Sequence, residues 1–385
     1  MLLEAGFWIC FGLVFYVYVG YPMLVLIIGQ LIFRDVLKTD TYPEVTIVIA
    51  AFNEEQDIKQ TVLNKILQDY PHDRLKVIVI SDGSTDRTDQ IVQELIERYG
   101  DRVSLLRQEP RQGKTQALNM AVTHATGEIL VFSDANSMYA PDAVRKLVRG
   151  FADPEVGYIT GHLIYTNPLG SVLSEGSGIY MKYESLVRKM ETRLYSVIGV
   201  NGGIDAIRCG LYTPMGADQL PDFVLPLNVV EQNKRVVYEP DAKLYEPALA
   251  LEIDEFRMRV RVSLRAIWAL YDKRNLLNPF RNLMFSWQLF SHKVLRYGAF
   301  IPLIGVLIFN IFIVNKNLFY FTFFWLQLLS YSFAALGPLL SRISTISSNL
   351  LMPYYFVVLN LASAVACWKF LNGQKMVIWK PRVGN

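Results

Sequence analysis

Cysteine is scarce in this sequence, and so is net charge. Only three cysteines occur among 385 residues. Cys10 and Cys367 lie in apolar runs and Cys209 stands alone, which excludes a disulfide framework and a CxxC-type zinc site. The net charge is +3, and Lys and Arg are mixed with Asp and Glu through the polar portion. A nucleic acid is therefore not an expected partner.

Glycine-rich phosphate-binding loops are also missing. Neither GxGxxG nor GxxxxGK[ST] occurs anywhere in the chain, so the two commonest ways of binding phosphate through backbone N–H groups are absent. A phosphorylated ligand would instead need carboxylates bridged to its oxygens by a divalent cation, because carboxylates alone repel it.

Hydrophobic residues, in contrast, are abundant, at 52% of the chain with a mean hydropathy of +0.25. This is high for a soluble protein, so part of the chain is expected in lipid. Residues 6–33 are nearly free of charge and long enough to cross about 30 Å of hydrocarbon. Arg34 and Lys38 follow, which predicts an uncleaved anchor whose C-terminal end is cytoplasmic.

Three further apolar runs occupy 297–314, 317–340 and 350–371. Three crossings would place the C-terminus outside, whereas the basic residues near the C-terminus favour the inside. The orientation of the last segment therefore stays open.

Between these regions, after Tyr42-Pro43, apolar β-type runs alternate with helical segments. We predict strands at 45–51, 76–81, 103–107 and 128–133, and helices at 54–68, 87–99 and 114–124. This repeat is typical of an α/β fold with a mostly parallel sheet and helices on both faces.

Polar residues follow three of the predicted strands: Asn53-Glu54-Glu55, Ser81–Asp86, and Asp134 with Asn136. Because ligands bind beyond the carboxyl ends of strands in such sheets, these oxygen donors indicate a metal and phosphate site. The alternative is that they only turn the chain or cap the next helix. Lys114, at a predicted helix start, adds a positive charge, although it could also be simply solvated.

Four segments resemble, in order and spacing, the successive motifs of the family 2 glycosyltransferases. They are Val45–Glu55, Ser81–Asp86, Gly113–Asn119 and Asp134–Asn136. The likeness is to the membrane-bound branch that includes cellulose, hyaluronan and poly-N-acetylglucosamine synthases, and it spans about residues 43–275. It implies a nucleotide-sugar-binding domain of the GT-A type.

The resemblance also implies roles for the residues of the donor site. Ala51, Asn53, Glu55 and Asp82 would bind the uracil and ribose of a UDP-sugar, with Asp82 free to accept a hydrogen bond from a base N–H. Lys114 would bind the diphosphate, and Asp134 with Asn136 would bind Mg²⁺ or Mn²⁺. The sequence departs from the family at Asn136, where a second Asp is common, because a carboxamide ligates a cation without adding charge.

On the acceptor side, the segment 201–208 resembles the glycine-rich stretch of the family, which implies acceptor contacts for Gly202, Gly203 and Arg208. Asp222 lies where relatives carry a TED-like triplet, which implies a catalytic base. Asp205 and Asp218 are competing candidates, and Asp222 could instead cap a helix that begins near Phe223.

Residues 254–274 are predicted to form a basic amphipathic helix, which is typical of the membrane interface. Its Arg261, Arg265 and Trp268 could also contact phosphates and a sugar. The QxxRW motif of the polysaccharide synthases is absent, because Val262 and Ala266 stand in place of Gln and Trp. This favours the addition of one or a few sugars over long processive synthesis.

These observations divide the chain into an anchor (1–40), a cytoplasmic GT-A domain (41–253), interfacial helices (254–296) and C-terminal membrane helices (297–385). The expected protein is an inverting glycosyltransferase of a bacterial-type inner or plasma membrane that extends a glycan or lipid-linked acceptor. Membrane lipids and polysaccharide-export subunits are the further expected partners. The alternatives are glycosylation of a polyprenyl phosphate, or a catalytically silent scaffold in polysaccharide export.

Overall fold

The structure is a computed structural model that describes residues 1–166, 172–247, 252–340 and 352–376. These residues form two compact units. The sheet unit takes in 32–166 and 188–247, and the helical unit takes in 1–31, 172–187, 252–340 and 352–375.

The sheet unit is built around one eight-stranded sheet. Its strands are β1 (Val45–Ala51), β2 (Leu75–Ser81), β3 (Val103–Arg107), β4 (Ile129–Asp134), β5 (Met138–Tyr139), β6 (Val156–Thr166), β7 (Asp205–Arg208) and β8 (Arg235–Pro247). Their order across the sheet is β3-β2-β1-β4-β7-β6-β8-β5. The sheet is therefore mixed, because β7 runs antiparallel to β4 and β6, and β5 runs antiparallel to β8.

The four strands predicted from sequence form the parallel half of the sheet. β1, β2 and β4 are nearly continuous apolar runs because both of their faces are covered. β3, at the edge of the sheet, is more exposed. In the register, Ala51 lies opposite Ser81, and Ala50 lies opposite Asp134. The polar residues that follow these strands consequently share one edge.

Helices connect the strands of the sheet unit: α3 (Ile58–Ile66), α4 (Thr88–Tyr99), α5 (Lys114–Val122), α6 (Ala143–Val148) and α8 (Pro221–Glu231). The predicted 54–68 helix is shorter in the structure, where α3 covers only Ile58–Ile66 and Asn53, just after the end of β1, has a φ of 55°. The loop after β1 therefore turns before α3 begins. Helix α7 (Val172–Leu194) contributes to both units.

The helical unit contains α1 (Leu2–Phe15), α2 (Tyr21–Leu31), α9 (Glu252–Asp272), α10 (Leu283–Leu289), α11 (Leu295–Tyr297), α12 (Phe300–Ile313), α13 (Leu318–Leu340) and α14 (Met352–Leu371). Within the described residues, three stretches are long and apolar enough to span a membrane: Leu2–Leu31, Leu318–Gly337 and Pro353–Leu371.

The predicted span at 297–314 needs correction. There the structure has Phe300–Ile313, which follows Leu283–Tyr297 at a bend of 57°. The break lies at Gly298, which ends the preceding helix. The two segments together count as a fourth span only if the bent pair crosses as one.

Candidate active site

The loops after β1 and β2 are joined by hydrogen bonds. The Asn53 side-chain oxygen accepts from the Thr85 N–H at 2.8 Å, and the Glu55 carboxylate accepts from the Arg87 N–H at 3.1 Å. In return, the Asp86 carboxylate accepts from the Glu55 N–H at 3.0 Å. The predicted donor residues Asn53 and Glu55 thus lie together where the loops after β1 and β2 meet.

Asp82 fixes a third loop to this edge. It is only 3% exposed, and its N–H donates to the Ala51 carbonyl at 2.9 Å. Its two carboxylate oxygens accept from Gln108 Nε2 (2.5 Å), Gln112 N (2.9 Å), Gly113 N (2.9 Å) and Arg111 Nε (3.4 Å). The expectation that Asp82 is free for a base N–H was therefore wrong, since the carboxylate already holds the loop that leads into α5.

The residue at the start of α5 is Lys114, and its ammonium group contacts the Asp134 carboxylate at 2.5 Å. Both side chains are about one-third exposed. Partial burial acts to lower the pKa of Lys114, but Asp134, Asp222 and Glu246 outweigh it and raise the pKa above its ordinary value. Lys114 therefore remains a cation in a group of carboxylates, where a diphosphate could replace part of its present interaction.

The resemblance implies a divalent cation, and the oxygen donors of the β4 terminus fit one. Asp134 ends β4 and the half-buried Asn136 follows two residues later. Among the described residues, no three or more His, Cys, Asp or Glu side chains form a metal-binding group. Mg²⁺ commonly uses only one or two protein carboxylates and takes its other ligands from substrate phosphates and water. Asp134 and Asn136 match that pattern.

Gly202 and Asp222 are brought into contact on the acceptor side. Gly202 has a φ of +71°, and a Cβ atom there would lie 2.7 Å from the Asp222 carboxylate. No other residue fits without displacing Asp222. Asp222 lies in the first turn of α8, where the helix dipole stabilises a negative charge. The N-cap of α8 is Leu220, so the alternative of Asp222 as the cap of a helix near Phe223 was wrong.

Asp205, the first residue of β7, lies near Asp222. It is 1% exposed, and its Oδ1 has no hydrogen-bond partner within the described part of the chain. Burial and the neighbouring Asp222 raise the pKa of Asp205 to about 7, against smaller opposing effects that include hydrogen bonds with Thr160 and Tyr158. Asp205 is thus a buried acid next to the predicted base.

Glu246 is a site residue that sequence reasoning missed. It is 5% exposed near the end of β8, and its Oε1 accepts from the Ser137 hydroxyl. A Cβ on Gly203 would lie 3.2 Å from both of these side-chain oxygens. No sequence signal pointed to Glu246, because the strand that carries it, β8, was not predicted. Its contacts depend on chain segments far apart in sequence.

Comparison with known proteins identifies part of the chain. The sequence model of Glycosyl transferase family 2 matches residues 46–208. This segment is a family 2 glycosyltransferase domain. The beta-monoglucosyldiacylglycerol synthase of Synechocystis sp. is 30% identical over 172 residues, which cover 44% of this chain and 34% of that protein.

A second relative aligns with a longer part of the chain. The poly-beta-1,6-N-acetyl-D-glucosamine synthase of Staphylococcus aureus is 24% identical over 278 residues, or 71% of this chain and 65% of that protein. In general, the matched part spans about a third of the length of the first curated relatives.

The fold of the glycosyltransferase domain agrees with a solved structure. The mannosyltransferase PcManGT from Pyrobaculum calidifontis, in complex with GDP-Man and Mn²⁺, aligns with a TM-score of 0.71 and 20% identity. The alignment covers 96% of this chain and 99% of that one. It confirms the predicted GT-A type α/β fold.

Arg208 is not brought to the site, which corrects its predicted acceptor role. Because β7 runs antiparallel to β4, Asp205 lies opposite Phe132 near the site, whereas Arg208 lies opposite Ile129 at the far end of β4. The Arg208 guanidinium donates instead to the carbonyls of Phe151, Asp153 and Val156. These bonds hold neighbouring strands and loops of the glycosyltransferase domain together.

The remaining predicted acceptor residues, Arg261, Arg265 and Trp268, lie on α9 in the helical unit. Trp268 Nε1 donates to the Gln374 carbonyl at 2.9 Å, and its ring packs edge-on against Phe370 at 4.6 Å between centroids. Trp268 therefore packs against the end of α14. For the Trp268 ring to stack on a sugar, part of its packing against Phe370 would have to be lost.

Proposed function

We propose that the chain is a membrane-anchored, inverting glycosyltransferase that moves a sugar from a nucleotide donor, with UDP-sugars favoured, to a glycan or glycolipid acceptor. One observation carries the proposal: the Lys114–Asp134 pair and the Gly202–Asp222 contact occur at one edge of the sheet. Charged groups suited to a diphosphate thus stand beside a carboxylate suited to proton transfer.

On the donor side, Lys114 binds diphosphate oxygens, and Asp82 fixes the loop that positions Lys114. Asp134 and Asn136 would hold a divalent cation, which would supply positive charge to the diphosphate. Ala51, Asn53 and Glu55 form the nucleoside rim. This side binds and orients the donor, which converts a bimolecular step into an effectively intramolecular one.

On the acceptor side, Asp222 accepts the proton of the acceptor hydroxyl. As that proton leaves, the hydroxyl oxygen bonds to the anomeric carbon, and the bond from this carbon to the diphosphate oxygen breaks on the opposite face, which inverts the configuration. A general base of this kind typically contributes about 10²–10⁴-fold to the rate. The missing side chains at Gly202 and Gly203 leave room for the Asp222 and Glu246 carboxylates, and the backbone of the two glycines contacts the sugar.

The names of two relatives support the proposed acceptor class. One is named for a glucosyldiacylglycerol product and the other for a polymer of N-acetylglucosamine. A glycolipid or glycan acceptor suits both. Because Val262 and Ala266 replace the residues of the QxxRW motif, we expect one or a few sugars to be added.

The membrane arrangement is part of the proposal. Residues 1–40 anchor the protein, 41–253 form the cytoplasmic catalytic domain, 254–296 lie at the interface and 297–385 return to the membrane. Nucleotide sugars are made in the cytoplasm, and Arg34 and Lys38 follow the first apolar helix. A Gln93→Cys variant, exposed on α4, should react with an impermeant thiol reagent only after lysis. Reaction in intact cells, above that of the parent protein, would contradict this orientation.

The function is tested by nucleotide release from the purified full chain. A panel of UDP- and GDP-sugars is offered with and without Mn²⁺, together with diacylglycerol, polyprenyl phosphate or an oligosaccharide. We expect Mn²⁺-dependent release with a UDP-sugar and short products on a glycolipid or glycan. Transfer to polyprenyl phosphate alone would replace the proposed acceptor, and no release with any donor would favour the silent scaffold.

A further inference from the structure

A fully buried lysine lies behind the proposed metal-binding loop. Lys65, on α3, is 0% exposed. Burial lowers its pKa well below the ordinary value, against the opposing effects of Glu246 and Asp134. Burying an amine is costly unless its hydrogen bonds are satisfied. A leucine or methionine at this position in α3 would be buried at a lower cost in free energy. The presence of a lysine therefore indicates that its amine has a specific role.

The contacts of Lys65 are directed at the loop 134–139. Its Nζ donates to the Ser137 carbonyl at 2.5 Å and to Asn64 Oδ1 at 3.1 Å, and it lies 3.7 Å from the centre of the Tyr139 ring. Two neighbours on α3 contact the same loop: Thr61 donates to the Ala135 carbonyl, and Asn64 exchanges hydrogen bonds with the Tyr139 backbone. The polar side of α3 therefore fixes the backbone on both sides of Asn136.

The same loop is tied to the acceptor side. The Ser137 hydroxyl donates to Glu246, and the Tyr139 hydroxyl donates to the Gly203 carbonyl at 2.8 Å. The Glu246 carboxylate in turn lies against Gly203. A continuous set of contacts thus leads from Lys65 through Ser137 and Tyr139 to the glycine segment.

We propose that Lys65 is a positioning residue for sugar transfer. Its buried amine fixes the loop that carries Asp134 and Asn136, and through Ser137 and Glu246 it sets that loop relative to Gly203. This rests on the proposed function, because that function gives the loop its metal. Groups behind metal ligands fix ligand orientation, and their loss typically weakens metal binding about 10–100-fold.

The test measures UDP affinity by calorimetry on the purified full chain at graded Mn²⁺ concentrations, together with thermal unfolding. Lys65→Met removes the amine and leaves Glu246 buried without it. Lys65→Met combined with Glu246→Gln removes both ionisable groups and is expected to recover part of the lost stability. Both variants should need at least tenfold more Mn²⁺ to reach half-maximal UDP binding. Lys59→Met, at an exposed position of α3, is the matched control and should behave like wild type.

A folded double variant that reaches half-maximal UDP binding at no more than twice the wild-type Mn²⁺ concentration would overturn the positioning role. Lys65 would then have a purely structural role. If neither Lys65 variant folds, Ser137→Ala decides, because it keeps the lysine and its carbonyl contact. We expect Ser137→Ala to raise the Mn²⁺ concentration for half-maximal UDP binding at least threefold. An unchanged concentration would overturn the proposal. Failure of the proposed function looks different: the wild-type chain itself would then bind UDP without regard to Mn²⁺.

Discussion

The donor side and the acceptor side of the sheet edge each contain a buried aspartate, and the two are held in opposite ways. Asp82 is surrounded by N–H donors from the loop 108–113, which satisfy its carboxylate oxygens. Asp205 faces Asp222 and has an Oδ1 without a partner within the described residues. Burial alone therefore does not define the role of a carboxylate.

The difference shows how one edge can serve two tasks. A carboxylate that is saturated with hydrogen bonds organises a loop, and here that loop presents Lys114 to the donor. A buried carboxylate that has fewer donors and lies beside another acid, as Asp205 does, holds its proton up to a higher pH. On the acceptor side, this leaves Asp222 as the group that can accept a proton, with Asp205 as its protonated neighbour below about pH 7.

The largest effect is expected on the donor side at Asp134. Asp134→Ala should abolish Mn²⁺-dependent UDP binding, because the diphosphate is otherwise repelled by the neighbouring carboxylates. Calorimetry with and without Mn²⁺ measures this, and Asp101→Ala, at an exposed position, is the control. Unchanged UDP affinity in Asp134→Ala would contradict a metal site at this edge of the sheet.

The two buried aspartates should respond differently to replacement by asparagine. Asp82→Asn sets an amide against the N–H groups of Gln112 and Gly113, and we expect it to lower the free energy of unfolding by roughly 2–3 kcal/mol. Asp205→Asn should be tolerated at pH 8, since it replaces a buried charge beside Asp222 with a neutral side chain. Equal losses in both variants would contradict the distinction.

The pH dependence of stability provides a sharper form of the same test. The pKa of Asp205 is raised from 3.8 to about 7 in the folded chain, so between these values the native state holds a proton that the unfolded state has lost. Its contribution to the free energy of unfolding is therefore full below about pH 4, and it is lost as the pH rises to about 7. Each unit of pKa difference corresponds to about 1.4 kcal/mol. Thermal unfolding of Asp205→Asn should lack this slope, and an unchanged slope would mean that another group causes it.

The smallest effect on activity is expected at Arg208. Arg208→Met removes hydrogen bonds to three carbonyls and should cost about 1–3 kcal/mol of stability, whereas the KM for the acceptor should stay within twofold. A tenfold rise in this KM without a loss of stability would indicate that Arg208 does contact the acceptor.

Local sequence was sufficient for the parallel half of the sheet and for the polar residues at its edge. Strand ends and motif residues are close together in sequence, so the pattern of strands and motifs was enough to group Asn53, Glu55, Lys114 and Asp134 at one edge. Asp82 was placed correctly but given the wrong partners, because the loop that folds back onto it comes from residues 108–113.

The rest depended on long-range contacts that no local pattern encodes. The antiparallel return of β7 carries Arg208 away from the edge that Asp205 reaches, and nothing in the glycine-rich segment reveals this direction. Lys65 looked like an ordinary helical lysine, and its burial follows only from the way the loop 134–139 packs on α3. Trp268 is held by Phe370 of α14 and by Gln374 just beyond it, more than a hundred positions later.

The central claim is that Asp222 is the base on an acceptor side built next to a metal-dependent donor site. The most direct test compares Asp222→Asn with Asp205→Asn in sugar transfer, with donor affinity measured in parallel. Asp222→Asn should lower the transfer rate by roughly 10²–10⁴-fold with UDP affinity kept, and Asp205→Asn should have a much smaller effect at pH 8. Transfer by Asp222→Asn within tenfold of wild type, or an equal loss in Asp205→Asn, would contradict the account.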